Sequence, residues 1–478
     1  MDFVKLMNDV SQPNYFPVYK QDDWKYEEDP SPLKLDYLAV ALYFSIAVFL
    51  LEFYLDSRQL RNFRTILKVP TSLKGVVPQD KFQQSSAYGA DKLAFGCFEG
   101  TFMFCEGVAL VLLGWLPYAW DLAQSLCLRC GLVTDASTSL WREVMITFVF
   151  TLLLSMHDTL LSLPFSLYST FVVEQKHGFN KTTYSLYFQD KAMGLGLQLL
   201  FGFPILGAIV WLIRLGGPHF YVYVWFFLMV VSVIMMMIYP TMIAPLFNQY
   251  IKLEEGPLYV AIEKLAKQVS FPLTEIYSVD GSRRSAHSNA YFYGFFKSKR
   301  IVLFDTLIKQ VKRPELLAIL GHEIGHWKLG HTIQGFLISQ VYTFSLFLCF
   351  SLVQNTPALF SAFGFSVSAT EPTPVCIGLV LFIQTTWTPV DKILTLCVNI
   401  NSRANEFAAD NYAKELGMGA DLATGLIKIS IENLGNLVPD SLYSLYHFSH
   451  PPLVERLAAI NDDFDSSGAV SAESKKKK

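Results

Sequence analysis

Long apolar stretches recur along the chain and are separated by polar segments. Seven of them reach the roughly 20 residues that a helix needs to cross a lipid bilayer. They lie at about 37–55, 95–115, 144–166, 192–213, 220–243, 333–353 and 376–400. The alternative, a set of buried helices in a large soluble protein, does not explain so many separate stretches of this length. The pattern predicts a multi-spanning α-helical protein with seven transmembrane helices and the lipid bilayer as a partner.

Composition supports the membrane prediction. Apolar residues make up 52% of the 478 residues and charged residues only 17%, whereas a soluble domain carries about 25% charge. The net charge of −3 provides no basic field for nucleic acid. The seven cysteines are scattered and odd in number, so a disulfide framework is not expected. For Cys127-x-x-Cys130 we favour a local disulfide or two free thiols over a zinc site.

The distribution of Lys and Arg predicts the orientation in the membrane. Segments 56–94, 167–191, 244–332 and 401–478 contain 30 of the 38 basic residues and are therefore expected in the cytosol. The N-terminus is then lumenal and the C-terminus cytosolic. Ionisable residues inside the predicted spans either pair with one another or line a hydrated interior; they are Glu52, Glu99, Glu106, His157, Asp158, Asp391 and Lys392.

These boundaries divide the chain into six segments. They are a lumenal segment (1–36), spans one to five (37–243), a cytosolic part (244–332), spans six and seven (333–400), a second cytosolic part (401–462) and a disordered basic tail (463–478). Within the first cytosolic part we predict an amphipathic helix, a strand at 274–279, a hairpin whose turn is Lys297–Lys299, and a helix that Pro314 opens and Gly330 stops.

The candidate chemistry begins with His322-Glu323-Ile324-Gly325-His326. Residues four apart share one face of a helix, so both imidazoles can bind one zinc ion. Glu323 is then placed to act as general base on a water that zinc has made acidic. Alone, this short pattern also fits a helix with two surface histidines.

A catalytic zinc needs a third protein ligand. The metzincin spacing is excluded, because Leu329 and Thr332 occupy the required glycine and histidine positions, with Gly330 and His331 each off by one. Glu406 is the best candidate for the third ligand.

Asp410 lies one helical turn beyond Glu406 and could hold a ligand histidine. A short lumenal loop should make spans six and seven antiparallel neighbours. Their cytosolic ends, next to His326 and Glu406, should then meet at one membrane mouth.

Two further segments could complete a peptidase. The strand Asn289-Ala290-Tyr291 could pair with an extended substrate, although it could equally be ordinary hairpin structure. His450 and Arg456 follow the Glu406 helix, and either could stabilise an oxyanion.

Five strings carry a resemblance over nearly the whole chain: SLPFSLYSTFVVEQKHGFN, GSRRSAHSNAYFYGFFKSKRIVLFDTL, LGHEIGHWKLGHT, EFAADNYAKELG and FSHPPLVERL. They resemble the type I CAAX prenyl proteases, which are integral membrane zinc metallopeptidases. The resemblance implies seven helices around a large hydrated chamber, with a gluzincin-like metallopeptidase domain on the cytosolic side.

The resemblance also implies a role for each site residue. One Zn²⁺ binds His322, His326 and Glu406, Glu323 is general base and acid, and Asp410 supports the ligands. His450 and Arg456 lie near the catalytic water, and Asn289 belongs to the strand that pairs with substrate.

The implied substrate is a prenylated C-a-a-X protein that loses its aaX tripeptide, with a second upstream cut in some cases. The implied location is the endoplasmic reticulum, extending to the nuclear envelope. Lys475–Lys478 is either a retrieval signal or a solvated basic tail. Two rival functions are a membrane quality-control protease with the same zinc site and a transporter or channel in which the histidine helix is structural.

Overall fold

A computed structural model describes residues 36–134, 137–294, 298–365 and 373–460. Apart from Asp36, the predicted lumenal segment lies outside these residues, as do the predicted basic tail and Lys475–Lys478.

The N-terminal half is built of long helices. They are α1 (Tyr37–Thr65), α2 (Gln79–Leu112), α3 (Trp115–Arg129), α4 (Ser139–Tyr168), α5 (Tyr184–Leu197), α6 (Phe203–Gly216), α7 (Phe220–Ile238) and the short α8 (Ala244–Phe247). Wide π-helical turns continue three of them at Ser169–Glu174, Gln198–Gly202 and Tyr239–Ile243. Capping side chains start α1 and α4, since Asp36 accepts from the amide of Ala39 and Thr138 from that of Trp141.

The second half mixes strands and helices. In chain order it contains β1 (Tyr250–Lys252), α9 (Pro257–Gln268), β2 (Leu273–Val279), β3 (Ala290–Tyr293), β4 (Lys299–Phe304), α10 (Asp305–Gln310), α11 (Arg313–Lys328), α12 (His331–Val353), α13 (Pro357–Ala362), α14 (Val375–Phe382), α15 (Thr388–Glu415), α16 (Gly419–Glu432), α17 (Ser441–His447) and α18 (Leu453–Ile460).

Within the described residues, five helical runs are long and apolar enough to cross a membrane. They are Tyr37–Thr65, Gln79–Leu112, Ser139–Glu174, Tyr184–Phe247 and His331–Val353. The fourth run, of 64 residues, holds both predicted spans four and five, which Gly217 separates with its positive φ of 54°. Predicted span seven is helical in α14 and α15 but is not among the five, because it carries Asp391, Lys392 and a polar turn.

The long helices form a closed ring. Around it, α1 contacts α2, α2 contacts the π-helical end of α4, and α4, α6, α7 and α12 follow in order. The ring closes through α14 and the π-helical turn Ile383–Trp387, which contacts α1. In the five spanning windows at most 22% of the residues are buried inside the protein. Most residues of these windows are therefore not packed inside the protein, although two smaller clusters, around Phe150 and Phe350, join neighbouring ring helices.

Spans six and seven are antiparallel neighbours, as predicted. Gln334 of α12 bonds Asn401 and Asn405 of α15, Tyr342 donates to Asp391 at 2.7 Å, and the rings of Phe350 and Phe382 lie 5.5 Å apart. Partners therefore run in opposite directions along the two helices.

Most of the ionisable residues predicted inside the spans have partners. Lys392 Nζ lies 2.6 Å from Glu52 Oε1. His157 lies 3.3 Å from Glu106 and 3.2 Å from Asp158. Pairing offsets the cost of charge at membrane depth.

The sheet has the order β1-β2-β4-β3. Strands β2 and β4 are parallel, and β1 and β3 are antiparallel to their single described neighbours. The predicted strand at 274–279 and the predicted hairpin are confirmed, although residues 295–297 of its turn lie outside the described part.

One continuous core joins the sheet to α9, α11, α16 and α18. It includes Ile262, Ile301, Leu307, Leu316 and Leu457, all nearly inaccessible to solvent. This core fixes α11, and with it the predicted metal-binding side chains.

Candidate metal and peptidase site

Helix α11 is anchored before it reaches the site. Pro314 lies in its first turn, where the missing N–H costs nothing. The carboxylate of Glu315 accepts the amide of Lys312 at 2.7 Å and pairs with Lys428 of α16 at 2.6 Å.

Glycines on α11 let α15 approach closely. A Cβ at Gly325 would lie 3.3 Å from the Ala409 backbone and 3.2 Å from the Tyr412 ring, and one at Gly321 would lie 3.3 Å from the Met418 sulfur. A methyl group at Gly325 would therefore require α15 to shift by a few tenths of an ångström. This close packing sets the distance between the histidines and Glu406.

The structure brings His322, His326 and Glu406 together. The two Nε2 atoms are 3.1 Å apart. Glu406 Oε2 lies 3.5 Å from His322 Nε2, and Glu406 Oε1 lies 3.3 Å from His326 Nε2. Tetrahedral ligands at about 2.0–2.1 Å from a zinc ion are separated by about 3.3 Å. The three donors therefore form a triangle of the size that one such ion requires.

The chemistry of the donors also fits a cation. Glu406 is 5% exposed, and among the described residues its Oε2 accepts no hydrogen bond. Burial alone would raise the pKa of Glu406, but His322 and His326 lower it overall. Burial alone would also lower the pKa of His322, but the neighbouring carboxylates of Asp410 and Glu406 outweigh burial and raise that pKa to about 9. The site stabilises positive charge, as a metal site must.

Asp410 and Arg456 support these donors from behind. Asp410 Oδ1 lies 2.8 Å from His322 Nδ1, so the carboxylate can orient the imidazole with Nε2 toward the metal position. Arg456 donates to both oxygens of Asp410, at 2.8 and 2.6 Å. Burial would raise the pKa of Asp410, but bonds to Arg456 and His322 lower it. The remaining nitrogen of Arg456, Nη1, lies 3.4 Å from Glu406 Oε2.

His331 also belongs to the site, which the sequence did not predict. Its Nδ1 lies 2.9 Å from His326 Nδ1. Helix α11 ends at Lys328, and Gly330, with a φ of 77°, starts α12 in a new direction. The turn at Gly330 therefore places His331 beside Nδ1 of His326, a position that it would not reach on one continuous helix.

Glu323 is half-buried beside the two histidines. Burial raises the pKa of Glu323 above its usual range, and the opposing influence of His322 and His326 is smaller. A carboxyl with a raised pKa is suited to accept a proton and later return it.

His450 lies on the open side of the site. Its Nε2 is 3.2 Å from Glu406 Oε1, and its side chain is 64% exposed. Arg403 of α15 holds the preceding segment, because its Nη1 donates to the carbonyls of Ser444, Leu445 and Phe448 at 3.2, 3.0 and 2.8 Å. Arg403 was not predicted from the sequence, since nothing local marks an arginine that binds the carbonyls of a distant helix.

The predicted substrate strand lies at the edge of the sheet. Within the described residues, Ala290 and Tyr291 pair only with β4, and Asn289 is exposed just before them. The side-chain Oδ1 of Asn289 accepts a hydrogen bond from the Ala290 amide, and the Asn289 carbonyl accepts one from the Phe304 amide. Strand β3 also contacts α11, the helix that carries His322 and His326.

A groove of about 570 Å³ leads from His326 between α12 and α15 toward Thr343 and Val398. Ser339 and Thr343 donate to carbonyls of their own helix, which leaves mainly carbon atoms on the groove surface.

Two protein families match the chain in succession. The CAAX prenyl protease N-terminal domain, with five membrane helices, matches residues 59–249, and peptidase family M48 matches residues 252–463. The CAAX prenyl protease 1 homologs of Oryza sativa and Homo sapiens are 44% and 38% identical; each alignment covers 90% of this chain and 98% or 96% of the relative. The chain belongs to the CAAX prenyl protease family.

A solved structure has the same fold. The crystal structure of S. mikatae Ste24p matches with a TM-score of 0.83 and 36% identity, over 90% of this chain and all of that one. The resemblance inferred from the sequence is thus confirmed. The chain is a protease of the M48 metallopeptidases and an integral membrane protein.

The cysteines form no disulfides. All seven are free thiols, including Cys127 and Cys130. Of the two outcomes expected for that pair, the structure shows free thiols.

Proposed function

We propose that this protein is a zinc metalloendopeptidase that removes the aaX tripeptide from farnesylated C-a-a-X proteins. The observation that carries the proposal is the triangle of His322, His326 and Glu406, at the end of the membrane ring where α12 and α15 meet. The named relatives support it, because CAAX prenyl protease 1 of Saccharomyces cerevisiae is 37% identical over 87% of this chain.

Zinc suits the donor set of two imidazoles and one carboxylate. Bound there, it would supply Lewis acidity toward a scissile carbonyl and make a water acidic near neutral pH. His322, His326 and Glu406 would hold it, with Asp410 fixing the orientation of His322 and Arg456 balancing the charge of both carboxylates.

Glu323 moves the protons in this proposal. Its raised pKa lets the carboxylate accept a proton from water and then give it to the leaving amine. His450 is exposed and faces the site, so it can donate to the oxyanion. Arg456 Nη1, which Asp410 does not engage, is the second candidate donor.

The substrate backbone would add to the free edge of β3 at Asn289–Tyr291. This mode binds the peptide through its main chain and tolerates varied side chains. The family's C-a-a-X substrates share a lipidated cysteine rather than a long fixed sequence, which suits recognition of this kind.

The proposed location is the endoplasmic reticulum membrane and nuclear envelope, with the N-terminus in the lumen. Residues 244–332 and 401–462, which we call the peptidase half, would lie in the cytosol. The distribution of Lys and Arg supports this orientation. Prenylated substrates are then presented on the side of the membrane that holds the site.

The deciding experiment measures hydrolysis of a farnesylated C-a-a-X peptide by purified wild type, Glu323→Ala and Glu406→Ala. We expect zinc in wild type and Glu323→Ala but turnover only in wild type, with a loss of about 10²–10⁴-fold for a missing general base. Glu406→Ala should lose both zinc and turnover.

Two results would contradict the proposal. Unchanged turnover in Glu323→Ala would reject the role of that residue. Preferential cleavage of an unprenylated, unfolded polypeptide would instead favour a quality-control protease with the same site.

A further inference from the structure

The segment Glu174–Lys181 carries the sequence EQKHGFNK and contributes no side chain to the metal site. It follows the π-helical end of α4 and crosses to the peptidase half. There it contacts residues 284–288, which lead directly into the proposed substrate strand; we call residues 284–288 the approach segment.

The backbones of the two segments pair like strands. Asn180 and Ser285 form an antiparallel bridge. The Lys181 amide donates to the Arg284 carbonyl at 3.0 Å, and the Ala286 amide donates to the Phe179 carbonyl at 3.1 Å. The membrane ring is therefore hydrogen-bonded to the chain immediately before β3.

Side chains reinforce this pairing at His287. The ring of Phe179 stacks on the His287 imidazole, with centroids 4.0 Å apart and planes 11° apart. Glu174 Oε2 lies 3.7 Å from His287 Nε2, and Tyr88 of α2 donates to Glu174 Oε1 at 2.7 Å. Two ring helices, α2 and α4, thus hold one side chain of the approach segment.

The peptidase half holds the same segment from the other side. Asn433 accepts the Ser288 amide at 3.1 Å, and Thr306 donates to the His287 carbonyl at 3.0 Å. These bonds end at Ser288, and the free edge begins at Asn289.

We propose that Glu174, Phe179 and His287 are positioning residues that fix the substrate strand relative to the metal site. They touch no reacting atom; they act through the approach segment on Asn289–Tyr291. Loss of the contacts should weaken binding of the peptide backbone and raise KM, while kcat and metal binding stay unchanged. The KM consequence rests on the proposed function, whereas the rigidity of the strand does not.

The test compares His287→Ala, which removes both contacts, with His287→Phe, which restores the stack on Phe179. The control is Lys252→Met, which breaks an ion pair with Glu275 at 2.6 Å on the opposite edge of the same sheet. Hydrogen exchange is measured on the substrate-free protein, together with KM, kcat and metal content.

We expect the amides of 284–293 to exchange about tenfold faster in His287→Ala, because the contacts that limit local opening are lost. The strand at 273–279 should be unaffected. KM should rise by a similar factor, and His287→Phe should recover most of both effects, while Lys252→Met should change neither.

Unchanged exchange at 284–293 in His287→Ala would overturn the proposal, and so would equal acceleration across the whole sheet. If wild type fails to cleave the farnesylated peptide, the proposed function is wrong, and the exchange data alone decide whether the positioning role is correct.

Discussion

The peptidase half and the membrane ring use apolar residues in opposite ways. In the peptidase half, side chains such as Leu307 and Ile262 are fully buried in one continuous core. In the ring, at most 22% of residues in a spanning window are buried, and Leu352 is 77% exposed. One large core packs around the helices that carry His322, His326 and Glu406, whereas the ring helices are joined by smaller clusters and bury a smaller share of their residues.

Ion pairs provide the sharpest test of this difference. Lys428–Glu315 and Lys392–Glu52 both have N–O distances of 2.6 Å, but the Glu315 side chain is 6% exposed and that of Glu52 33%. Lys428→Met should destabilise the protein by about 3 kcal/mol, because a buried carboxylate loses its partner. Lys392→Met should cost about 1 kcal/mol or less, because Glu52 is one-third exposed and keeps the hydrogen bond that it accepts from the Tyr446 hydroxyl. Thermal unfolding in detergent measures both, and equal shifts would contradict the comparison.

Matched leucine substitutions test the packing itself. Leu307→Ala should cost about 2–5 kcal/mol, since it opens a cavity in the core. Leu352→Ala should change stability by about 0.5 kcal/mol or less, since that side chain has few protein contacts to lose. A comparable loss in the two variants would show that the ring is packed more tightly than its exposure indicates.

Substitution of His331 tests whether the start of α12 supports the side chain of His326. His331→Ala should weaken metal binding by about 10–100-fold, the usual effect of removing the partner of a ligand histidine. His331→Asn keeps an acceptor and should restore part of the affinity. Competition with a chelator measures both variants, and wild-type affinity in His331→Ala would rule out this support.

Low pH should lower the stability of the peptidase half, because Glu315 becomes protonated. Burial would raise the pKa of Glu315, but Lys428 and the Lys312 amide lower it overall from 4.5. Because the pKa of Glu315 is lower in the folded protein than in the unfolded chain, Glu315 contributes its full stabilisation above the unfolded-state pKa. This contribution is lost as the pH falls through the folded-state pKa. Glu315→Gln should therefore have a flatter stability profile below about pH 4.5 than wild type. A parallel profile would show that other carboxylates dominate.

The features that depend on local periodicity or on the order of the spans could be predicted from the sequence. Hydrophobic length predicted the spans, four-residue spacing predicted the shared face of His322 and His326, and the antiparallel spans six and seven predicted Glu406 as their partner. The count of apolar spanning runs differed, because a short helical link joins predicted spans four and five into one run and polar residues interrupt the seventh.

The remaining parts of the site depend on how distant elements approach one another. His331 was set aside by a spacing rule that assumes one uninterrupted helix, and the left-handed Gly330 breaks that assumption. Arg403 acts on carbonyls some forty residues away, and the close approach at Gly325 follows from helix packing. No periodicity in the sequence encodes these relations.

Helix α15 carries Glu406 on the same unbroken helix whose first residues, Asp391 and Lys392, pair with α12 and α1 of the ring. Its 28 residues extend about 42 Å at 1.5 Å per residue. Without a joint in this rod, the third donor cannot move independently of the chamber wall. A bilayer of a different thickness changes the tilt of membrane helices. We therefore expect the thickness of the surrounding bilayer to influence the distances among His322, His326 and Glu406.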